Sequence, residues 1–232
     1  SKMEELGLLG NPSAVEKKEG TAKERSRQVL EQIKDLEHKG YTFEGAEASV
    51  ELMIRRSMAS YVSPFELIDF NVHIANSQAS RTSAARGILF GNTSAQAVVR
   101  LNIIEGKQGE SCSIRECLEV GEGNGPVDAL NAALRKALLL FFPSLTALKL
   151  TDYKVRILDN ESATRATTRV MISFMDVDSQ STWTTVSAHP NIIVASINAL
   201  VDGFEYAMLT RQPECLLVGA EELAELKMQR QI

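Results

Sequence analysis

The feature that most constrains the fold is that the chain says nearly the same thing twice. LIDFNVHI, from Leu67 to Ile74, returns as LTDYKVRI, from Leu150 to Ile157. Leu67, Asp69, Phe70, Val72 and Ile74 stand opposite Leu150, Asp152, Tyr153, Val155 and Ile157 at an offset of 83, and both stretches alternate apolar with polar as half-buried strands do. A second echo follows each. NGPVDALNAAL, from Asn124, lies over NIIVASINAL, from Asn191, so that Asn124, Val127, Leu130, Asn131 and Ala132 face Asn191, Val194, Ile197, Asn198 and Ala199 at an offset of 67. Strand comes before helix both times, which marks an internal duplication. The two offsets differ by 16, and those extra residues are assigned to NSQASRTSAARGILFGNTS, Asn76 to Ser94, a Ser-, Ala-, Asn- and Gly-rich stretch expected to be an exposed excursion.

Each copy reads as three strands and a helix. The first offers FELIDFNVHI, AQAVVRLNII and SCSIRECLEV, then a helix from Pro126; the second offers LTALKLTDYKVRIL, TRATTRVMISFMDV and STWTTVSA, then a helix from Asn191. Short connections favour antiparallel pairing, and an amphipathic helix must lie on one sheet face. The fold class is α+β: a helical part, residues 1–62, precedes two β-β-β-α units of pseudo-twofold symmetry, residues 63–211, and a helical tail, residues 212–232, follows. In the first part, after the polar GNPSAVEKKEGTA, one helix is expected to pack Val29, Leu30, Ile33 and Leu36 and to stop at Gly40; a second carries Ala46, Val50, Met53 and Ile54. The helix from Asn191 holds Ala195, Ile197, Ala199, Leu200 and Tyr206, more apolar positions than one sheet face needs. That surplus points either to a homodimer or to burial within the chain.

Composition narrows the function. A chain 44% hydrophobic and 24% charged is an ordinary globular one, and its longest apolar run, ALLLFF from Ala137 to Phe142, ends at Pro143, well short of the roughly 20 residues a bilayer span needs. The net charge of −5 argues against nucleic acid. Cys112, Cys117 and Cys215 include no CxxC pair and read as free thiols of a reducing compartment. His38, His73 and His189 lack metal-ligand spacing, and the serines lack a nucleophile elbow. GEGNGP, Gly121 to Pro126, joins strand to helix as a tight turn or as a seat for a small carboxylate. The opening SKMEELGLL reads as the middle of a helix, so the chain is expected to be part of a longer one.

GYTFEGAEASVEL (Gly40–Leu52), GEGNGPVDALNAALRKAL (Gly121–Leu138), LTDYKVRIL (Leu150–Leu158) and WTTVSAHPNIIVASINALVDGFEY (Trp183–Tyr206) resemble the C-terminal part of the 2-isopropylmalate synthase and citramalate synthase family, with the citramalate branch favoured. The resemblance implies a helical linker and a regulatory domain that dimerises and binds a branched-chain amino acid, isoleucine or leucine, as feedback inhibitor. It implies a cytoplasmic protein, or one of the plastid stroma in a photosynthetic eukaryote. The family's condensation of acetyl-CoA with a 2-oxo acid belongs to an N-terminal TIM barrel holding a divalent metal, outside this sequence, so this chain is expected to carry no cofactor and no catalysis of its own. Two alternatives are a stand-alone amino-acid-binding or scaffold protein derived from that domain, and a distinct enzyme.

A bound amino acid needs a partner for its carboxylate, one for its ammonium, and an apolar slot. The second unit is expected to supply Leu150, Tyr153 and Ile157 from one strand, Ala163, Thr164, Ala166 and Thr167 from the next, and the closing loop His189, Pro190 and Asn191. The N–H groups near Asn191 and Ile192 would meet the carboxylate, and Asp128, across an interface, or a backbone carbonyl would meet the ammonium. Tyr153 and Ile157 as plain sheet-core residues is the competing reading. Tyr41 either serves the catalytic domain or packs the helical hairpin.

Overall fold

A computed structural model describes residues 15–58, 61–77, 92–105, 113–158 and 165–211. Two helices, α1 (Val15–His38) and α2 (Glu47–Arg56), lead into β1 (Phe65–Ser77), β2 (Asn92–Glu105), β3 (Ser113–Gly123) and α3 (Pro126–Leu139). A short 3-10 turn, Pro143–Ala147, then opens the second copy: β4 (Leu148–Ile157), β5 (Thr168–Asp176), β6 (Thr182–His189) and α4 (Ile192–Arg211). The strands form two separate three-stranded antiparallel sheets, β1-β2-β3 and β4-β5-β6.

The duplication extends to the irregularities. The β1–β2 register slips between Leu67 and Asp69, and the β4–β5 register slips between Leu150 and Asp152, so each copy carries a bulge at the same place. Cross-strand partners share a face, which lets the copies be matched row by row. In the first sheet the rows facing α3 are Leu67–Leu101–Cys117, Phe70–Val99–Glu119, Val72–Ala97–Gly121 and Ile74–Ala95–Gly123. In the second they are Leu150–Phe174–Trp183, Tyr153–Ile172–Thr185, Val155–Val170–Ser187 and Ile157–Thr168–His189. The matching strands stand 83, 73 and 66 residues apart.

These rows correct the sequence reading twice. The helices are related by 66, not 67: Ala129, Leu130, Ala133 and Leu134 then match Ala195, Ser196, Ala199 and Leu200, all buried, and Ala129 N–H to Gly125 O matches Ala195 N–H to Asn191 O. The echo at 67 followed side-chain identity, whereas burial is set by the face. The extra residues of the first copy are also not in one place, because ten precede β2 and seven precede β3. Asn76 and Ser77 continue β1, and Asn92 to Ser94 begin β2, so the supposed excursion is shorter than its assigned span; the rest of it lies outside the described residues, as does the tail from residue 212.

One hydrophobic cluster joins both inner faces through α3 and α4. The helices approach their sheets by opposite means. A Cβ on Gly121 of β3 would meet Ala133 N of α3 at 2.3 Å, while in the second unit the glycine is on the helix, where a Cβ on Gly203 would meet the Phe174 ring at 2.0 Å. Arg135 of α3 bonds Leu145 O and Leu148 O at 3.3 and 2.7 Å and lies over the Phe204 ring, tying the copies together.

α1 begins at Val15, inside the stretch expected to be a polar lead-in, and ends where Gly40 takes a positive φ of 96°. Val29 is buried, but Leu30, expected on the same packed face, is 54% exposed. α2 is buried around more of its circumference than its expected stripe: Val50 and Ile54 pack toward Val29 and Val186, while Ala48 joins the main core and Leu52 meets Leu209. α4 is apolar enough over 20 residues to pass for a membrane span, yet 61% of it is buried within the chain, the pattern of a core helix. Its surplus apolar positions Ala195, Ile197, Ala199 and Leu200 are wholly buried inside one chain. The intrachain alternative therefore explains them, and any dimer contact must use other residues.

Candidate functional site

α4 runs back over the second sheet from the His189 end, and its first turn leaves part of the last two rows uncovered. Val155, Ile157 and Ile192 are 42%, 56% and 40% exposed there, although Val155 and Ile157 share the inner face with buried Val170 and Thr168. Further in, the Tyr153 and Ser196 hydroxyls are 2.8 Å apart, and Ser196 also donates to Ile192 O at 2.7 Å. This pair closes the inner limit of an apolar strip. Polar groups rim the outer end: Thr168, nearly buried, sits between Ile157 and His189 in the same row.

The loop that starts α4 is organised by its own side chains. His189 Nδ1 accepts the Asn191 N–H at 2.9 Å, and Asn191 Oδ1 accepts the Ile193 N–H at 2.8 Å, capping the helix. Of the two N–H groups expected to receive a carboxylate, that of Asn191 is thus already engaged. Pro190 and Asn191 are exposed at the mouth.

The structure brings Leu150, Tyr153, Ile157, His189, Pro190, Asn191 and Ile192 to one unit, with Leu150 and Tyr153 half-buried against the core. Ala166 and Thr167 do not belong to β5, which starts at Thr168; Thr167 O accepts the Leu158 N–H at 2.9 Å and Ala166 is buried. Ala163 and Thr164 lie outside the described residues. Asp128 is at the first turn of α3, in the other unit, where its Oδ2 accepts the Asn124 N–H at 3.0 Å. Of GEGNGP, Gly121 to Gly123 finish β3, Asn124 and Gly125 make the connection, and Pro126 opens the helix. Tyr41 stacks on Phe43 and places its hydroxyl 3.3 Å from Ser187 Oγ.

Other candidates carry less. Cys117 is a free thiol whose pKa burial and the neighbouring Glu119 push up, away from reactivity; Cys112 and Cys215 lie outside the described residues. Among the described residues no His, Cys, Asp and Glu group forms a metal cage. Sequence reasoning missed Ser196, a lone hydroxyl within the apolar run of α4, and Val155, which alternation places on the same strand face as Tyr153 and Ile157.

The LeuA allosteric (dimerisation) domain family matches residues 44–208, which take in both sheets, α3 and all but the last three residues of α4. The chain belongs to that family. It is also similar to the (R)-citramalate synthases of Synechocystis sp., at 40% identity over 85% of this chain and 32% of that protein, and of Aquifex aeolicus, at 35% over 93% and 35%. That of Geobacter sulfurreducens is 38% identical over 78% and 30%. The chain spans about a third of the length of the curated relatives it matches. As a LeuA-type domain it has the open row end in the second copy only in a polar version: where the second unit has Thr168, Ser187 and His189, the first has Ala95, Gly121 and Gly123.

Proposed function

We propose that this chain is the regulatory and dimerisation region of a citramalate synthase-like enzyme, one that joins acetyl-CoA to a 2-oxo acid, and that it binds isoleucine, or leucine second, as feedback inhibitor at the open end of the second unit. Residues 1–62 act as linker and residues 63–211 as the regulatory domain. The observation that carries this reading is the exposed strip of Val155, Ile157 and Ile192 on a face whose Val170, Ile172, Phe174, Thr185 and Ser187 are buried, rimmed by Thr168, His189 and Asn191. A branched aliphatic side chain fits the strip, and the polar rim fits the amino-acid head group. The similarity to citramalate synthases supports isoleucine as first choice. One methyl position is worth only about 1–3 kcal/mol, so the two amino acids are separated by measurement and not by residue type. The same apolar residues, with Ile74 at the matching place in the first unit and 54% exposed, form the face through which two copies pair.

Calorimetry on the chain tests it. Isoleucine is expected to give saturable heat at millimolar concentration or below, and Tyr153→Ala to weaken it at least tenfold. No heat from either amino acid, or undiminished binding in Tyr153→Ala, overturns the assignment.

A further inference from the structure

The two copies diverge at the residues that meet the linker. At the 66-residue relation that matches their buried faces, Asp202, Glu205 and Tyr206 of α4 stand where the first copy has Lys136 and Leu139 of α3 and then Leu140 at its C-cap. Leu139, the counterpart of Glu205, packs half-buried against the main core, and Leu140, the counterpart of Tyr206, is 63% exposed, whereas Glu205 is 1% exposed. Its carboxylate receives Arg56 Nε at 3.2 Å, Arg56 Nη2 at 2.5 Å and the Tyr61 hydroxyl at 2.5 Å. Arg56 Nη2 also donates to Asp202 Oδ1 at 2.7 Å. One residue on, the Tyr206 hydroxyl donates to Glu51 Oε2 at 3.1 Å, and Glu51 in turn holds Arg55 at 3.0 Å. At the edge of β6, Ser49 Oγ accepts the Val186 N–H at 2.9 Å.

Stability alone does not call for this arrangement. A buried ion pair is often no better than an apolar pair of the same volume, and the first copy uses leucine at the matching position. What a guanidinium on a carboxylate adds is direction. Its planar fork fixes orientation, so a helix held this way follows its partner or breaks the bonds, whereas an apolar contact slides. Beside the cluster a cleft of about 280 Å³, lined by Tyr41, Arg56, Ser187, Asn198 and Asp202, leaves α2 room to move.

We propose that the Arg56–Glu205–Tyr61 cluster is a coupling latch, through which occupancy of the open end of the second unit repositions the linker helix α2. α4 is the common rod. Asn191 caps its ligand end, and Glu205 stands 14 residues further on, about 20 Å at 1.5 Å per residue. A ligand that shifts the first turn of α4 shifts Glu205 with it, and the fork carries the shift to Arg56. Coupling of this kind needs two arrangements with different ligand affinity, and the cleft permits the second.

The inference rests on the amino-acid reading above, and one experiment separates the two. Hydrogen exchange is followed in the chain with and without millimolar isoleucine, alongside calorimetry. Isoleucine is expected to change exchange at residues 47–58 as well as at the start of α4. Arg56→Met combined with Glu205→Leu removes both members of the buried pair together and puts the leucine of the first copy at residue 205, while Asp202, whose side chain is 20% exposed, loses its guanidinium but keeps contact with solvent. In that double variant isoleucine affinity stays within about threefold of the parent, while the response of residues 47–58 falls to under a quarter. Binding heat with no response at α2 in the parent, or an undiminished response in the double variant, overturns the latch alone. Absence of heat with isoleucine and leucine alike overturns the amino-acid reading and the latch with it. Loss of affinity in the double variant shows that the cluster belongs to the binding site and overturns its role as a relay.

Discussion

The Phe174 ring occupies the space where a side chain on Gly203 would stand: a Cβ there would come within 2.0 Å of the ring's Cε2 and 2.3 Å of its Cζ. Helix propensity and packing therefore oppose each other at this site. Alanine gains about 1 kcal/mol over glycine inside a helix, but Phe174 is wholly buried, stacked on Trp183 and edge-on to Phe204, and has nowhere to go. Overpacking of a filled core wins. Gly203→Ala is expected to lose about 1–2 kcal/mol net in denaturant unfolding. Gly125→Ser, at an N-cap with extended backbone and open space around it, is expected to change stability by only a few tenths of a kcal/mol.

Arg211 closes the far end of α4 onto the β5–β6 turn. Its Nε donates to Asp176 Oδ2 at 2.8 Å, its Nη2 to Asp176 Oδ1, and its Nη1 to Ser144 O at 2.7 Å. The guanidinium, helped by the N–H groups of Asp178 and Ser179, holds the Asp176 carboxyl at about 2, below its usual value of 3.8. The folded value lies below the unfolded one, so the stabilisation is present in full above about pH 4 and is lost as pH falls toward 2. Its size is about 2 kcal/mol. Urea unfolding at pH 7, 4 and 2 checks this: Asp176→Asn is expected to cost about that much at neutral pH and to flatten the acid limb.

Period-two alternation revealed every strand of the duplicated region, because each sheet has one face toward its helix and one away from it. Even the bulge is foreshadowed in Leu67–Asp69 and Leu150–Asp152, where the alternation skips a beat in both copies. The helix register was not legible, since a run of Ala, Leu and Asn repeats its own letters one residue out of phase. Leu30 was misplaced because a hydrophobic stripe one residue too wide looks like a packed face until the partner's width is known. The Tyr153–Ser196 contact joins residues 43 apart, and the Glu205 cluster joins residues 144 and 149 apart. No local pattern marks such pairs. A glutamate in an apolar helix reads as an exposed turn until the arginine that buries it is in place.

The exposed ends of the inner rows make a prediction about assembly. Ile157 and Ile192 are 56% and 40% exposed in one chain, so an aspartate at either disturbs little within the fold but places a charge in any face that two copies share. Light scattering of the parent at micromolar concentration is expected to give twice the monomer mass. Ile157→Asp is expected to give the monomer, with a melting temperature within about 3 °C of what a concentration-linked loss of the dimer allows. A dimer in Ile157→Asp as firm as in the parent moves the interface elsewhere.

Trp183 is the single tryptophan of the chain, and it reads the junction from inside. Its ring lies 5.5 Å from that of Tyr206, and its Nε1 donates to Gly203 O at 3.3 Å. The Tyr206 hydroxyl donates to Glu51 of the linker, and burial together with that carboxylate pushes its pKa up to about 12 from an ordinary 10. A proton is therefore bound more tightly in the folded state, so this contribution is present in full below about pH 10 and disappears as pH rises toward 12. Tyr206 is only half-buried, so the contribution is about 1 kcal/mol, well under the full value of the shift. Tyrosinate quenches a neighbouring indole, which makes the event visible in Trp183 emission. Emission of the folded chain is expected to hold steady through pH 10, where exposed tyrosines ionise, and to fall only as pH approaches 12. In Tyr206→Phe that late fall disappears, and stability at neutral pH drops by about 1 kcal/mol for the lost bond to Glu51. Quenching centred near pH 10 in the parent contradicts the burial of this phenol against the linker.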